Sequence, residues 1–241
     1  MYLALLPVFA LGCAGRFSHH LNAPIRTARQ MPDARTLLQS CRTRYETLQS
    51  YADVGCVYIT YGGAAPHTQR LPFQTAFTRQ GGFRFEFTDR FMLFPPTHFA
   101  VWTQGSEVRS WWTIHPVVEH FHSLADAIAG ATGISGGSAH TVPTLLLASQ
   151  GTGWRITDVR SPELLGLQTL PDSTACYVIA GKNFCGDTIH LWLDRQNLVL
   201  RRVYSTSTLS GGVRVEDTTI YEPHLNPNLP SSVFEIGRVH V

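Results

Sequence analysis

The chain has 241 residues, 44% hydrophobic and 15% charged, enough for one large β domain with a sizeable core. With 19 basic residues against 17 acidic ones and a net charge of +2, no bulk field draws it to nucleic acid or to an anionic membrane. No internal segment approaches the roughly 20 apolar residues of a membrane helix, and there is no repeat of fixed period or low-complexity tract.

Residues 1–11, MYLALLPVFAL, form an apolar run followed by Gly12, Cys13, Ala14 and Gly15. An apolar stretch ending in small residues predicts an export signal. Ala10, Leu11, Gly12 and Cys13 also resemble a bacterial lipobox, in which Cys13 would receive lipid and become the mature N-terminus. Two features depart from that pattern: no Lys or Arg precedes the run, and Ala10 stands where Leu is usual. The competing reading is a buried N-terminal strand or helix, but residues 16–30 are polar and aperiodic and suit a tether. Residues 1–31 are read as signal, lipobox and linker, and 32–241 as one domain.

Pro32 and Asp33 open a helix, where a proline and an acid suit the free amides and the dipole of the first turn. Leu37, Leu38, Cys41, Tyr45 and Leu48 recur along it at helical spacing, and it ends near Ser50. Residues 51–61, β-branched and aromatic, predict the first strand, stopped by Gly62 and Gly63. A second, 71–79, places Leu71, Phe73, Thr75 and Phe77 on one face. After Gly81 and Gly82, residues 83–88 alternate strictly, with Phe83, Phe85 and Phe87 on one side and Arg84, Glu86 and Thr88 on the other. Segments 98–103 and 107–113 form a hairpin.

The pattern then turns helical. Residues 123–129 have Ser123 as cap and Gly130 near the stop, 133–137 is a flexible break, and 138–148 is a further helix with Pro143 in its first turns. Strands return at 154–159 and 164–170 and lead into a meander, 176–180, 188–193 and 198–204, whose short turns require antiparallel pairing. The last long strand is 213–221, and 233–236 closes the chain. Strands on both sides of a helical insert predict one sheet with helices laid over it.

Residues 115–122 hold the one cluster of metal-ligand types, His115, Glu119, His120 and His122. On a strand His120 and His122 share a face while Glu119 points away, which gives two ligands at most, so the segment is read as a polar loop and no metal is expected. With Cys13 lipidated, Cys41, Cys56, Cys176 and Cys185 remain, as buried thiols or with at least one disulfide. Helix-on-sheet contact would bring Cys41 to Cys56. Cys176 and Cys185 would meet only across an irregular turn, because a two-residue turn at Lys182 and Asn183 sets Cys176 opposite Ile189. No nucleophile elbow or HExxH occurs, and the 133–137 stretch lacks the Lys of a phosphate loop, so neither catalysis nor a cofactor is expected.

Four stretches, taken in order, resemble the motifs of a known family. The first helix ends in Leu48, Gln49, Ser50 and Tyr51 and runs into Asp53, Val54 and Gly55. Residues 77–86 are similar to that family's Arg-Pro-x-x-Phe-Arg strand pair, with Gln80 in place of Pro. Leu191, Trp192, Leu193 and Asp194 with 198–202 resemble its Trp-x-Asp…Leu-x-x-Arg hairpin, and Thr219, Ile220, Tyr221, Glu222 and Pro223 run on to Phe234. In this order, over roughly residues 33–236, they resemble the bacterial lipoprotein carriers LolA, LolB and their lipoprotein-sorting relatives.

The resemblance implies an α+β fold: a strongly curved antiparallel half-barrel with helices covering its concave face around an apolar cavity. Together with the N-terminal signal and lipobox pattern, it points to an exported, non-enzymatic protein on the periplasmic side of the envelope, as an outer-membrane lipoprotein anchored through Cys13. Its partner would be an apolar ligand, an acyl chain or a lipoprotein, and not nucleic acid. The alternative is an envelope sensor or protein-interaction module that carries no ligand. The residues expected to line the cavity are Phe73, Phe77, Phe83, Phe85, Phe87, Trp111 and Trp192, against which stands ordinary core packing. The insert, with Gly130, Gly133, Gly136 and Gly137, is expected to cover the concave side and to swing.

Overall fold

A computed structural model describes residues 31–63, 65–90, 95–148 and 153–235; Cys13 and the proposed signal lie outside them. Helix α1 (Ala34–Thr47) starts at Asp33, which is the N-cap rather than a first-turn residue. Its Oδ2 accepts from the Thr36 amide at 3.0 Å, satisfying one of the free amides at the helix start. Leu37, Leu38, Cys41 and Tyr45 form the buried stripe. Six strands follow: β1 (Ser50–Tyr61), β2 (His67–Thr78), β3 (Phe83–Asp89), β4 (Thr97–Gln104), β5 (Glu107–Trp112) and β6 (His115–Phe121). Helices α2 (Leu124–Thr132) and α3 (Ser138–Leu146) come next, then β7 (Arg160–Thr169), β8 (Ala175–Lys182), β9 (Thr188–Asp194), β10 (Leu200–Thr208) and β11 (Arg214–Leu225).

All eleven strands join one open antiparallel sheet in the order β6-β5-β4-β3-β2-β1-β11-β10-β9-β8-β7. Two meanders meet at its centre, where β1 pairs with β11 from Tyr51 opposite Leu225 to Tyr61 opposite Val215. The chain therefore leaves the first meander at one edge of the sheet and must re-enter at the other. Helices α2 and α3 lie in that connection, on the concave side, where α2 packs on β4, β5 and β6 and α3 on β2 and α1. This topology is the α+β half-barrel.

Side-chain alternation divides the sheet into two faces. Inward go Tyr51, Val57, Leu71, Phe73, Phe85, Val101, Leu191 and Leu193, which pack with the helices in one core. Outward, Cys176, Val178 and Trp192 make a small separate cluster. Inside, Phe73 lies across Gly55: a Cβ there would meet Phe73 Cζ at 2.2 Å and the Ile220 carbonyl at 2.6 Å, so no other residue fits.

Several expectations need correction. The 115–122 stretch is not a loop but edge strand β6, exposed along nearly its whole length. Residues 154–159 are not a strand: the Arg155 amide donates to Asp158 Oδ2 at 2.9 Å, folding the segment into a side-chain-stabilised turn. Strand β11 continues through Pro223, tolerated because its pairing with β10 has already ended at Ile220 and no partner amide bond is lost there. Between β8 and β9 the turn is five residues, 183–187. Asn183 accepts from the Asp187 amide at 2.9 Å, and Cys176 stands opposite Asp194, not Ile189.

The four described cysteines are free thiols. Cys41 sits in the core under the helices, while Cys56 alternates with Val57 and faces outward, where Arg70 Nε approaches its sulfur at 3.4 Å. The sheet itself separates them. Cys176 is buried in the outer cluster and Cys185 is exposed in the turn.

Candidate functional site

At the end of the half-barrel where β1, β2 and β3 pass beneath the α2–α3 turn, the concave face is not filled. A cavity of about 710 Å3 remains, open on one side. Register builds its floor. Ile59 lies opposite Gln69 and Val57 opposite Leu71, while Phe73 is opposite Phe87, so Ile59, Leu71 and Phe87 point to the same side. Trp112 closes the wall from β5, opposite Phe99, whose ring stacks on Phe87 at 5.6 Å. Ile134 of the 133–137 turn forms the roof.

That turn is tied down rather than loose. The Ser135 amide donates to the Ala131 carbonyl at 3.1 Å, and Ser135 Oγ accepts from the Ala139 amide at 3.1 Å. Gly136 and Gly137 have φ of 59° and 82°, in the left-handed region that glycine enters without strain. At Gly136 a Cβ would also approach Val57 at 3.0 Å, so the glycine lets the turn settle on the sheet. Gly130 is inside α2, which runs on to Thr132, and Gly133 keeps right-handed backbone at its end.

The seven residues expected at a binding surface are thus dispersed. Phe87 lines the cavity. Phe73, Phe77, Phe83 and Phe85 are buried in the closed core with 4% exposure or less, so for them the core reading is the one the structure supports. Trp111 and Trp192 alternate with the core residues of β5 and β9 and face outward. Trp111 borders a shallow outer groove with Pro72, Glu86 and His98, and Trp192 packs on Cys176 and Val178. Ile59, Leu71, Trp112 and Ile134 were not foreseen. Strand alternation already put Leu71 on one face with Phe73 and Phe77; which face of the first strand carries Ile59, and where along the strands the helices stop, it could not show.

The cavity wall carries few polar groups. Gln69 Nε2 donates to Asp89 Oδ2 at 3.0 Å, and both residues line it. Asp89 Oδ1 and Trp112 Nε1 are buried without a hydrogen-bond partner. Among the described residues no group of three or more His, Cys, Asp or Glu side chains could hold a metal ion.

Deeper under the helices lies a second polar cluster. Asp53, 2% exposed, accepts from the Tyr51 hydroxyl at 2.8 Å. Thr75 stands opposite and lowers its pKa, but Thr75 Oγ1 and Asp53 Oδ1 make no well-formed bond. Burial outweighs these contacts and pushes Asp53 up to about 6. The neighbours are the buried phenols Tyr45, Tyr51 and Tyr221, with Cys41 beyond, and no cation among the described residues joins them.

A raised folded pKa means that the native state holds the proton more tightly than the unfolded chain. Its stabilisation is complete below about pH 4 and is lost as pH rises through about 6. At a burial this complete, the loss amounts to about 2–3 kcal/mol at neutral pH. Asp53→Asn is expected to be the more stable protein at pH 7.5 and to flatten the profile between pH 4 and 7. Asp217, also raised to about 6 by burial, leaves a residual slope of the same sign. Urea unfolding across that range checks this; a wild-type slope retained in the variant would refute it.

No protein-family description matches the chain, and no curated protein matches it in sequence. Solved structures do resemble it in shape. LprF from Mycobacterium bovis is 12% identical, with 82% of this chain and 94% of that one covered at a TM-score of 0.45. A putative outer membrane lipoprotein-sorting protein domain from Vibrio parahaemolyticus is 9% identical, covering 83% and 95% at 0.39. MucB of Pseudomonas aeruginosa, in its complex with MucA, is 10% identical, covering 85% and 61% at 0.44. The group of proteins that the sequence motifs resemble is also represented, by a LolA superfamily protein from Nitrosomonas europaea at 12% identity, 86% and 99% coverage and 0.33.

Proposed function

We propose that this protein is an exported binding protein that holds an apolar ligand, an acyl chain or the acylated end of a lipoprotein, in its half-barrel. The observation that carries this reading is the open cavity of about 710 Å3 walled by Ile59, Leu71, Phe87, Trp112 and Ile134. Its volume falls in the roughly 300–1,000 Å3 range of small-molecule sites. Apolar surface left in contact with water at such a site favours an apolar occupant. On this reading the site binds rather than reacts. Mass spectrometry of lipid extracted from protein purified out of its own membranes tests the reading. A stoichiometric apolar species is expected; repeated recovery of empty protein counts against it.

The lipobox-like stretch at Cys13 would place the protein on the periplasmic side of the envelope, on the outer membrane. Cys13→Ser is expected to move the protein from the membrane to the soluble fraction, since one thiol carries the whole anchor. Equal retention of the variant in washed membranes would end that part of the proposal.

A second reading, a module that binds a protein partner, is favoured by one feature. Edge strand β6 presents a backbone edge that no described residue pairs, with Val117 54% and Val118 40% exposed, where an extended segment could add a strand.

A further inference from the structure

The cavity is apolar but not chemically neutral, and resting on the reading above, its polar atoms narrow what the occupant's head can be. Among the described lining residues Asp89 is the one charged side chain, and no Lys or Arg is present. Asp89 projects from the last position of β3, on the same face as Phe87. Its Oδ2 takes the Gln69 amide, while Oδ1 is buried with no donor and no described cation pairs with it. An anionic head brought into this wall would meet a like charge, an unfavourable pairing that no described cation offsets. A head with N–H or O–H groups would instead be drawn to the Asp89 carboxylate on this wall, and charge-assisted hydrogen bonds are the stronger kind.

We propose that the cavity selects amphiphiles whose head donates hydrogen bonds and carries no negative charge, recognised through Asp89, and that it discriminates against free fatty-acid anions. The apolar wall supplies affinity for the chain and Asp89 supplies the selection.

The test uses the protein with Nile red, an uncharged apolar dye, as reporter, and displaces it at pH 7.5 with two probes of equal chain length, dodecylammonium and dodecanoate. Dodecylammonium is expected to displace the dye at concentrations about tenfold lower or more, the scale of one charge-assisted hydrogen bond. In Asp89→Asn, nearly the same shape without the charge, that preference, taken as the ratio of the two probes on the variant itself, is expected to collapse to within about twofold. Equal displacement by the two probes in the wild type, or an undiminished preference in the variant, overturns the selection by Asp89. In both cases dye binding still supports the cavity reading. Failure of the wild type to bind the dye at all overturns both. Should the variant not fold, the wild-type ratio of the two probes decides alone.

Discussion

Trp192→Ala is expected to destabilise the protein by about 3–5 kcal/mol, the usual cost of emptying a large aromatic site. The ring is 2% exposed although it lies on the outer face of the sheet. It is enclosed by Cys176 and Val178, flanked by Leu165, Leu170 and Tyr204, and roofed by the Arg202 guanidinium 4.8 Å from its centre. Its Nε1 donates to Gln168 Oε1 at 2.7 Å, tying β9 to β7 across β8. Truncation removes the packing, uncovers Arg202 and leaves Gln168 without its donor. Urea midpoints measure the loss, and an unchanged midpoint would show that the outer cluster holds nothing together. Since the ring faces away from the cavity, variant protein that remains folded is expected to bind Nile red as the wild type does.

Arg79→Ala is the second large effect expected, about 2–4 kcal/mol, because one guanidinium satisfies several carbonyls at once. Nε donates to Leu48 O at 3.1 Å, and Nη2 reaches Tyr45 O, Glu46 O and Leu48 O, each at 3.0 Å. Nη1 donates to Leu146 O at 2.8 Å, and the group lies over the Phe77 ring at 4.8 Å. The C-terminal ends of α1 and α3 are thereby fastened to the end of β2, where their free carbonyls and the negative ends of their dipoles meet a cation. Lys has one point charge and no fork, so Arg79→Lys is expected to recover only part of the loss. Hydrogen exchange should locate the damage at the C-terminal turns of α1 and α3. Loosening confined to the turn after β2 would mean that the clamp is ornamental.

The alternation of Phe83, Phe85 and Phe87 and the short turns of the 176–204 meander made the sheet legible from sequence, and the Ser123 cap located α2. Edge strand β6 was not legible, because a strand exposed along nearly its whole length needs no apolar alternation. Trp192 was misplaced for a related reason: both faces of β9 are apolar, and sequence does not say which one meets the helices. The cavity was half visible. Its Phe face could be read, but which stretch of that face stays open depends on where α2 turns into α3, and Ile134 and Gly136 set that through tertiary contact alone.

The central claim is that the open end of the half-barrel binds an apolar molecule, and filling it is the most direct test. Ile59→Trp adds a ring to the cavity floor from a position that is only half-buried, so the fold should accept it. Titrated with Nile red, the wild type is expected to bind one dye with the blue-shifted emission of an apolar site. Ile59→Trp should bind at least about tenfold more weakly, from lost apolar contact area, with its melting temperature unchanged. Equal dye affinity in a folded Ile59→Trp protein would contradict the account.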